Sequence, residues 1–344
     1  MKQPLGMEKV VVSKRQVLTT VALPEEWIQP LVDSCEVHVL QGAAPGDVGK
    51  LMEQAEGILT LLTDKVDASL LTRTPLLRVV SNMAVGVDNV DLAECTKRGI
   101  PVGSVGNFLT EATADVALAL LLCVARRLPE AAQDARSGRW EGWSVTGWLG
   151  KDVQGATLGI VGLGRIGQAV ARRARSFGMR LLYTGPRPHP EVEADLQATR
   201  VPLDDLLSGS DFVSLHVPLT EQTRGLMDAQ HLERMRKGAV LINTARGAIV
   251  HTEALRNALE HGPLGGAGLD VTDPEPLPPG HPLFGFANCL ILPHIGSAGA
   301  EARRRMVQLA CENVLAGLED RPLEHCANPE VYRNPRAKTQ HRIR

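Results

Sequence analysis

The chain has 344 residues, enough for two domains that each bury a core of their own. Its 37 Lys and Arg stand against 39 Asp and Glu, so no global field draws it to nucleic acid or to an anionic membrane. Six cysteines without a C-x-x-C pair read as reduced thiols, and no metal-ligand set is expected. The longest strongly apolar run, Val116 to Ala125, is too short to cross a bilayer. With no signal-peptide core at the N-terminus and no peroxisomal tripeptide at the other end, a cytoplasmic location is expected.

Along the first third, candidate strands Val10–Val12, Val37–Leu40, Gly57–Leu62, Leu77–Ser81 and Pro101–Val102 alternate with helical stretches near Glu25–Asp33, Asp47–Gln54 and Asp91–Arg98. This is the pattern of a parallel α/β unit. Thr110 to Asp115 is a helix start that leads into an Ala/Leu-rich helix ending at Arg127. Trp140, Trp143 and Trp148 then fall within nine residues of a chain that is only 3% aromatic. The plain reading is a dimer seam, since Trp supplies much buried area at interfaces. The sharper reading has Trp148 crossing that seam to wall the substrate pocket of a second copy.

The run Val161-Gly162-Leu163-Gly164-Arg165-Ile166-Gly167 follows the apolar stretch 156–160 and opens a helical stretch, Gln168 to Ser176. A G-x-G-x-x-G in strand–turn–helix context is a dinucleotide-binding signature. Gly162 makes the tight turn, Gly164 lets a pyrophosphate approach the backbone, and Gly167 lets the helix sit close to the sheet. The free N–H groups of the helix start favour the phosphates. An NAD site would place a carboxylate at the end of the next strand, to bind the ribose 2′-OH. Here Met179 to Tyr183 runs into Thr184-Gly185-Pro186-Arg187-Pro188-His189, with no acid before Glu191. Arg187, the only cation expected near that point, suits a 2′-phosphate and so NADP(H), with NAD(H) less favoured.

Further strands are expected at 212–216, 239–243, 266–270 and 289–292. Three of them are followed by residues able to carry chemistry: Arg246 in Asn243–Gly247, Glu275 in Gly268–Pro276, and His294 in Pro293–Ser297. Ligands of open α/β sheets bind at this carboxyl edge. Hydride transfer to a 2-keto acid needs a cation for the carboxylate and carbonyl, an acid for the new alkoxide, and a partner that keeps that acid charged. Arg, His and Glu supply these in turn. A last helix is expected from Ala300 to about Leu318. Residues 331–344, with five basic side chains and no acid, read as a disordered tail.

These motifs, in this order, resemble the D-isomer-specific 2-hydroxyacid dehydrogenases over about residues 8 to 328. Within them the likeness is to the glyoxylate reductase/hydroxypyruvate reductase branch, through Tyr183-Thr184-Gly185, Arg126 to Glu130 and Leu277 to Leu283. Met83 to Asp88 also belongs to the resemblance. The turn His216-Val217-Pro218-Leu219 has the general family form. The resemblance implies two doubly wound parallel-sheet domains, with a Rossmann cofactor domain (108–294) inserted into a flavodoxin-like substrate domain (1–107 and 295–330). It implies Arg246, Glu275 and His294 as catalytic residues, and the N–H groups of Val85 and Gly86 on the substrate carboxylate. Arg165 would lie over the pyrophosphate, beside Ile166. Val217, Pro218, Thr244, Asp270 and Gly296 would line the nicotinamide end, and Thr184, Gly185 and Arg187 the adenosine ribose. An ionised Glu275 beside His294 would favour the charged ring.

The expected activity is therefore NADPH-dependent reduction of glyoxylate or hydroxypyruvate by a homodimer. Within the same fold the alternatives are another D-2-hydroxyacid dehydrogenase, such as a 3-phosphoglycerate dehydrogenase, and a nucleotide-sensing corepressor-like binding protein. The first would favour NAD and an acid where Thr184 to Arg187 sit.

Overall fold

The computed structural model describes residues 14–333, which divide into two compact units. One takes the chain up to Gly106 and again from Arg303; the other runs Asn107–Ala302. The return falls inside the helix Ala300–Leu318, later than directly after His294, because the residues that helix buries begin at Met306.

The first unit holds β1 (Arg15–Thr19), β2 (Cys35–Val39), β3 (Gly57–Thr60), β4 (Val79–Asn82) and β5 (Val102–Gly103), all parallel, in the order β2-β1-β3-β4-β5. Val17, Leu18, Ile58, Leu59, Val79 and Val80 have no exposed surface, as befits a sheet covered on both faces. The helix Ala300–Leu318 reaches the sheet closely: a Cβ on Gly317 would lie 2.4 Å from Val79 Cβ. Beyond it, the backbone pairs antiparallel with β5, Gly103 opposite Cys326. Buried Asn328 accepts the Val102 N–H at 2.8 Å, closing an edge that would otherwise be open. The candidate strand Val10–Val12 lies outside the described residues.

The second unit holds β6 (Thr157–Val161), β7 (Arg180–Thr184), β8 (Ala198–Arg200), β9 (Phe212–Leu215), β10 (Val240–Asn243), β11 (Gly266–Leu269) and β12 (Cys289–Ile291). They form one parallel sheet in the order β12-β11-β10-β9-β6-β7-β8. Strand order reverses between β6 and β9, so the crevice above their carboxyl ends is where a ligand binds in such a sheet. Helix Thr110–Ala125 lies against this sheet, where a Cβ on Gly268 would come within 3.0 Å of Leu120. Two strands were not anticipated: β1 opens with charged and polar residues, and β8 is three residues with one apolar side chain. Both owe their place to neighbours rather than to a pattern of their own.

No helix among the described residues is long and apolar enough to cross a membrane. All six cysteines are free, and burial pushes the thiols of Cys95, Cys289 and Cys311 up to about 12, which leaves them unreactive.

Candidate active site

The glycine turn sits at the switch point. Gly162 takes φ +96° and donates its N–H to Thr184 O at 3.0 Å; a Cβ there would lie 2.7 Å from His216 O. A Cβ on Gly167 would meet Gly162 O at 2.2 Å, whereas one on Gly164 would meet nothing within 4 Å. The first and third glycines thus fold the turn, and the second leaves it open to a ligand. The helix Arg165–Ser176 begins here with no side chain capping its N–H groups and no acid in its first turn. Arg165 stands in that turn, its Nη1 bonded to Asn107 Oδ1 at 2.8 Å, and Ile166 packs against the core below. Val217 fits against Gly162, and Pro218 O accepts the Thr223 hydroxyl at 2.6 Å.

Two groups near this crevice are unusual. Thr244 Oγ1 is buried without a hydrogen-bond partner among the described residues, which leaves a hydroxyl for a ligand to satisfy. His216 bonds Ser214 Oγ through Nε2 at 2.8 Å, and burial pushes its imidazole down to about 4, so it is neutral near pH 7. The open glycine, uncapped helix start and unsatisfied hydroxyl fit a dinucleotide.

At the end of β7 the loop 185–189 is exposed at Pro186, Arg187 and Pro188, and the Arg187 side chain has no hydrogen bond or ion pair among the described residues. Glu193, one of three acids on the following helix Pro190–Leu196, accepts the Tyr183 hydroxyl and the His189 N–H. The first of these chiefly holds its carboxyl below the usual carboxylate range. One expectation is corrected here. Arg187 is not the only cation at this point, because Arg200, from the unanticipated β8, donates Nη2 to Gly185 O at 2.9 Å.

The three strand-end residues come to neighbouring ends of β10, β11 and β12, where Asn243 pairs with Leu269 and Leu269 with Ile291. His294 Nδ1 lies 2.6 Å from Glu275 Oε1. His294 takes φ +54°, a left-handed conformation that costs a non-glycine residue about 1 kcal/mol or more and persists only under constraint. The constraint is Asp270. Its carbonyl accepts the His294 N–H at 3.0 Å, and its carboxylate accepts the N–H groups of Ile295 and Gly296, each at 2.7 Å. Burial nonetheless raises the Asp270 carboxyl above its usual range against those two bonds. Buried Asn243 holds the next loop, bonding Arg246 O at 2.8 Å and the Ala245 N–H at 3.0 Å, while Arg246 Nη1 rests on Ala245 O at 2.8 Å. Gly247 joins this loop to that of Glu275, for a Cβ there would fall 1.9 Å from Thr272 O. Sequence reasoning gave no positioning role to Asn243 or Asp270; a polar residue closing a buried strand was the available signal.

Val85 and Gly86 lie in the other unit, on the loop after β4. Their N–H groups have no acceptor among the described residues. Buried Asn82 shapes that loop, donating Nδ2 to Gly86 O at 2.9 Å and to Asn89 Oδ1 at 3.1 Å. The tryptophan stretch belongs to the second unit: Trp140 and Trp143 are 72% and 86% exposed, and Trp148 lies under the Arg127 guanidinium, 4.9 Å from ring centroid to Cζ.

A Rossmann sheet with a glycine turn at its switch point, and Arg, Glu and His at adjacent strand ends, defines an oxidoreductase of the dinucleotide-binding α/β class. The chain belongs to the D-isomer-specific 2-hydroxyacid dehydrogenases: the NAD-binding domain of that family matches residues 118–296. It is 45% identical over 310 residues to the mouse glyoxylate reductase/hydroxypyruvate reductase, covering 88% of this chain and 94% of that one. Among solved structures, the TT0316 protein of Thermus thermophilus is 48% identical with a TM-score of 0.84, over 90% of this chain and 99% of that one. An NADPH-dependent glyoxylate/hydroxypyruvate reductase from Sinorhizobium meliloti, solved with NADP and malonate, is 32% identical. Its TM-score is 0.81, over 92% of this chain and 98% of that one.

Proposed function

We propose that the protein uses NADPH to reduce small 2-keto acids, glyoxylate to glycolate or hydroxypyruvate to D-glycerate. The observation that carries this reading is the 2.6 Å contact between His294, on the loop clamped by Asp270, and Glu275, on the loop after β11, with Arg246 presented by the end of β10. The reductase names of the relatives supply the substrate class.

When bound, the reduced nicotinamide supplies a hydride to the carbonyl carbon. Arg246 holds the substrate carboxylate and polarises the carbonyl; in the other unit, the N–H groups of Val85 and Gly86 are free, among the described residues, to bind a carboxylate. His294, its Nδ1 turned to Glu275, gives a proton from Nε2 to the alkoxide oxygen. Glu275 orients the ring and stabilises its cation; the oxidation runs the same path backward. Proton transfer of this kind is worth roughly a hundred- to ten-thousand-fold in rate.

Gly162, Gly164, Arg165, Ile166 and Gly167 form the pyrophosphate cradle, with Thr244, Asp270, Gly296, Val217 and Pro218 toward the nicotinamide. Thr184, Gly185 and Arg187 face the adenosine ribose. The cofactor preference rests on Arg187, unpaired among the described residues, and on a nearby acid already committed to Tyr183 and His189. Functionally, the unit that carries Val85 and Gly86 binds substrate and the glycine-turn unit binds cofactor. Three exposed tryptophans favour a homodimer, with Trp148 walling the substrate pocket of the second copy.

The test is a set of initial rates with glyoxylate, hydroxypyruvate and 3-phosphohydroxypyruvate, each with NADPH and with NADH. Fastest turnover is expected for the first two with NADPH. No turnover with any pair would sink the enzyme reading, and a preference for the phosphorylated acid with NADH would move the protein elsewhere in its family.

A further inference from the structure

Arg200 closes β8, and β8 pairs in register with β7 so that Tyr183 stands opposite Arg200 and Val201 N–H donates to Tyr183 O at 2.9 Å. This register brings the guanidinium to the carboxyl end of β7, where Nη2 donates to Gly185 O at 2.9 Å. Gly185 opens the loop that carries Arg187. A guanidinium has five N–H donors in a rigid fork, and Gly185 O is the one acceptor Arg200 meets among the described residues. No carboxylate among them pairs with it there, and Glu193 is already engaged by Tyr183 and His189.

Two arginines therefore stand at one exposed turn, Arg187 on the turn itself and Arg200 from β8, and neither forms an ion pair among the described residues, although Glu193 feels the Arg200 charge. Like charges drawn to one loop are unfavourable unless an anion joins them, and planar N–H forks suit phosphate oxygens. The end of this strand is where a dinucleotide's adenosine ribose lies in this kind of sheet. We propose that Arg200 is a second specificity-determining residue of the cofactor site: it fixes the turn through Gly185 and offers its remaining donors to the ribose 2′-phosphate. This rests on the NADPH reading above.

Calorimetric titration with adenosine 2′,5′-bisphosphate and with 5′-AMP, which lacks the 2′-phosphate, separates the two claims without needing turnover. Wild type binds the bisphosphate more tightly. Arg200→Ala loses about ten-fold of that affinity, the low end for a charged hydrogen bond, and leaves 5′-AMP unchanged. Arg187→Ala does the same independently, and the double variant binds both probes nearly alike. Arg200→Lys, which keeps the charge without the fork, falls between wild type and alanine. Equal weakening of both probes by Arg200→Ala would overturn the inference and leave Arg200 as a support for the loop. So would an unchanged preference. A wild type that does not distinguish the probes would instead remove the NADPH reading itself.

Discussion

The loop after β12 and the loop after β7 leave the same edge of one sheet, yet they are held in opposite ways. The first is clamped: Asp270 takes three backbone N–H groups, Glu275 takes the ring of His294, and the histidine backbone stays in a left-handed conformation that only such bonding sustains. The second carries Arg187 on an exposed turn and, among the described residues, has Arg200 as its side-chain tether on Gly185. Proton transfer needs a donor fixed within tenths of an ångström. Choosing between two cofactors that differ by one phosphate needs only charge at the right place, so that loop tolerates change.

The largest effect should come from breaking the clamped side. His294→Asn should lower reduction by roughly a hundred- to ten-thousand-fold, while NADPH affinity, read by cofactor fluorescence, stays at the wild-type value. A parallel loss of affinity would mean that the imidazole itself helps to hold the cofactor and does not act only as the acid.

His216, below the glycine turn, sharpens the comparison through pH. Its imidazole is pushed down to about 4 in the folded chain, against about 6.5 unfolded. The unfolded chain therefore takes up the proton first. The stability this group contributes is whole above about pH 6.5 and is lost as pH falls toward 4, by at most about 3 kcal/mol. His216→Gln should flatten that part of the pH dependence of unfolding by urea. An unchanged slope between pH 7 and pH 4.5 would show that the ring is not buried as a neutral group.

On the open side, Arg187→Ala should reduce the NADPH over NADH preference in kcat/KM by about ten- to a hundred-fold. A constant ratio would show that the phosphate is read by another residue. Smallest of all, Trp148→Ala should raise activity on larger 2-keto acids by about ten-fold, near the low end for pocket fit, with sedimentation still showing a dimer. Loss of the dimer, or an unchanged substrate range, would make Trp148 a structural residue.

The clamped side was half legible. Arg246, Glu275 and His294 stood out because each follows an apolar run at the point where a strand must end. The clamp itself did not, since Asp270 meets Ile295 and Gly296 across two strands, through backbone N–H groups that no side-chain pattern records. The open side was less legible. Arg200 lies in a three-residue strand whose register with β7 gives it its position, and in the sequence it is one arginine among many.

By itself the sequence determined what is local. A seven-residue glycine string sets a turn and a helix start because those conformations depend on the residues within it, and alternating apolar runs set a parallel α/β order because each strand must be covered. Tertiary structure alone decided which groups meet and which are left unsatisfied: Glu275 against His294, Arg200 on Gly185, the lone hydroxyl of Thr244 and the neutral ring of His216. Burial and long-range hydrogen bonds are properties of pairs brought together by folding, and neither partner carries them in the unfolded chain.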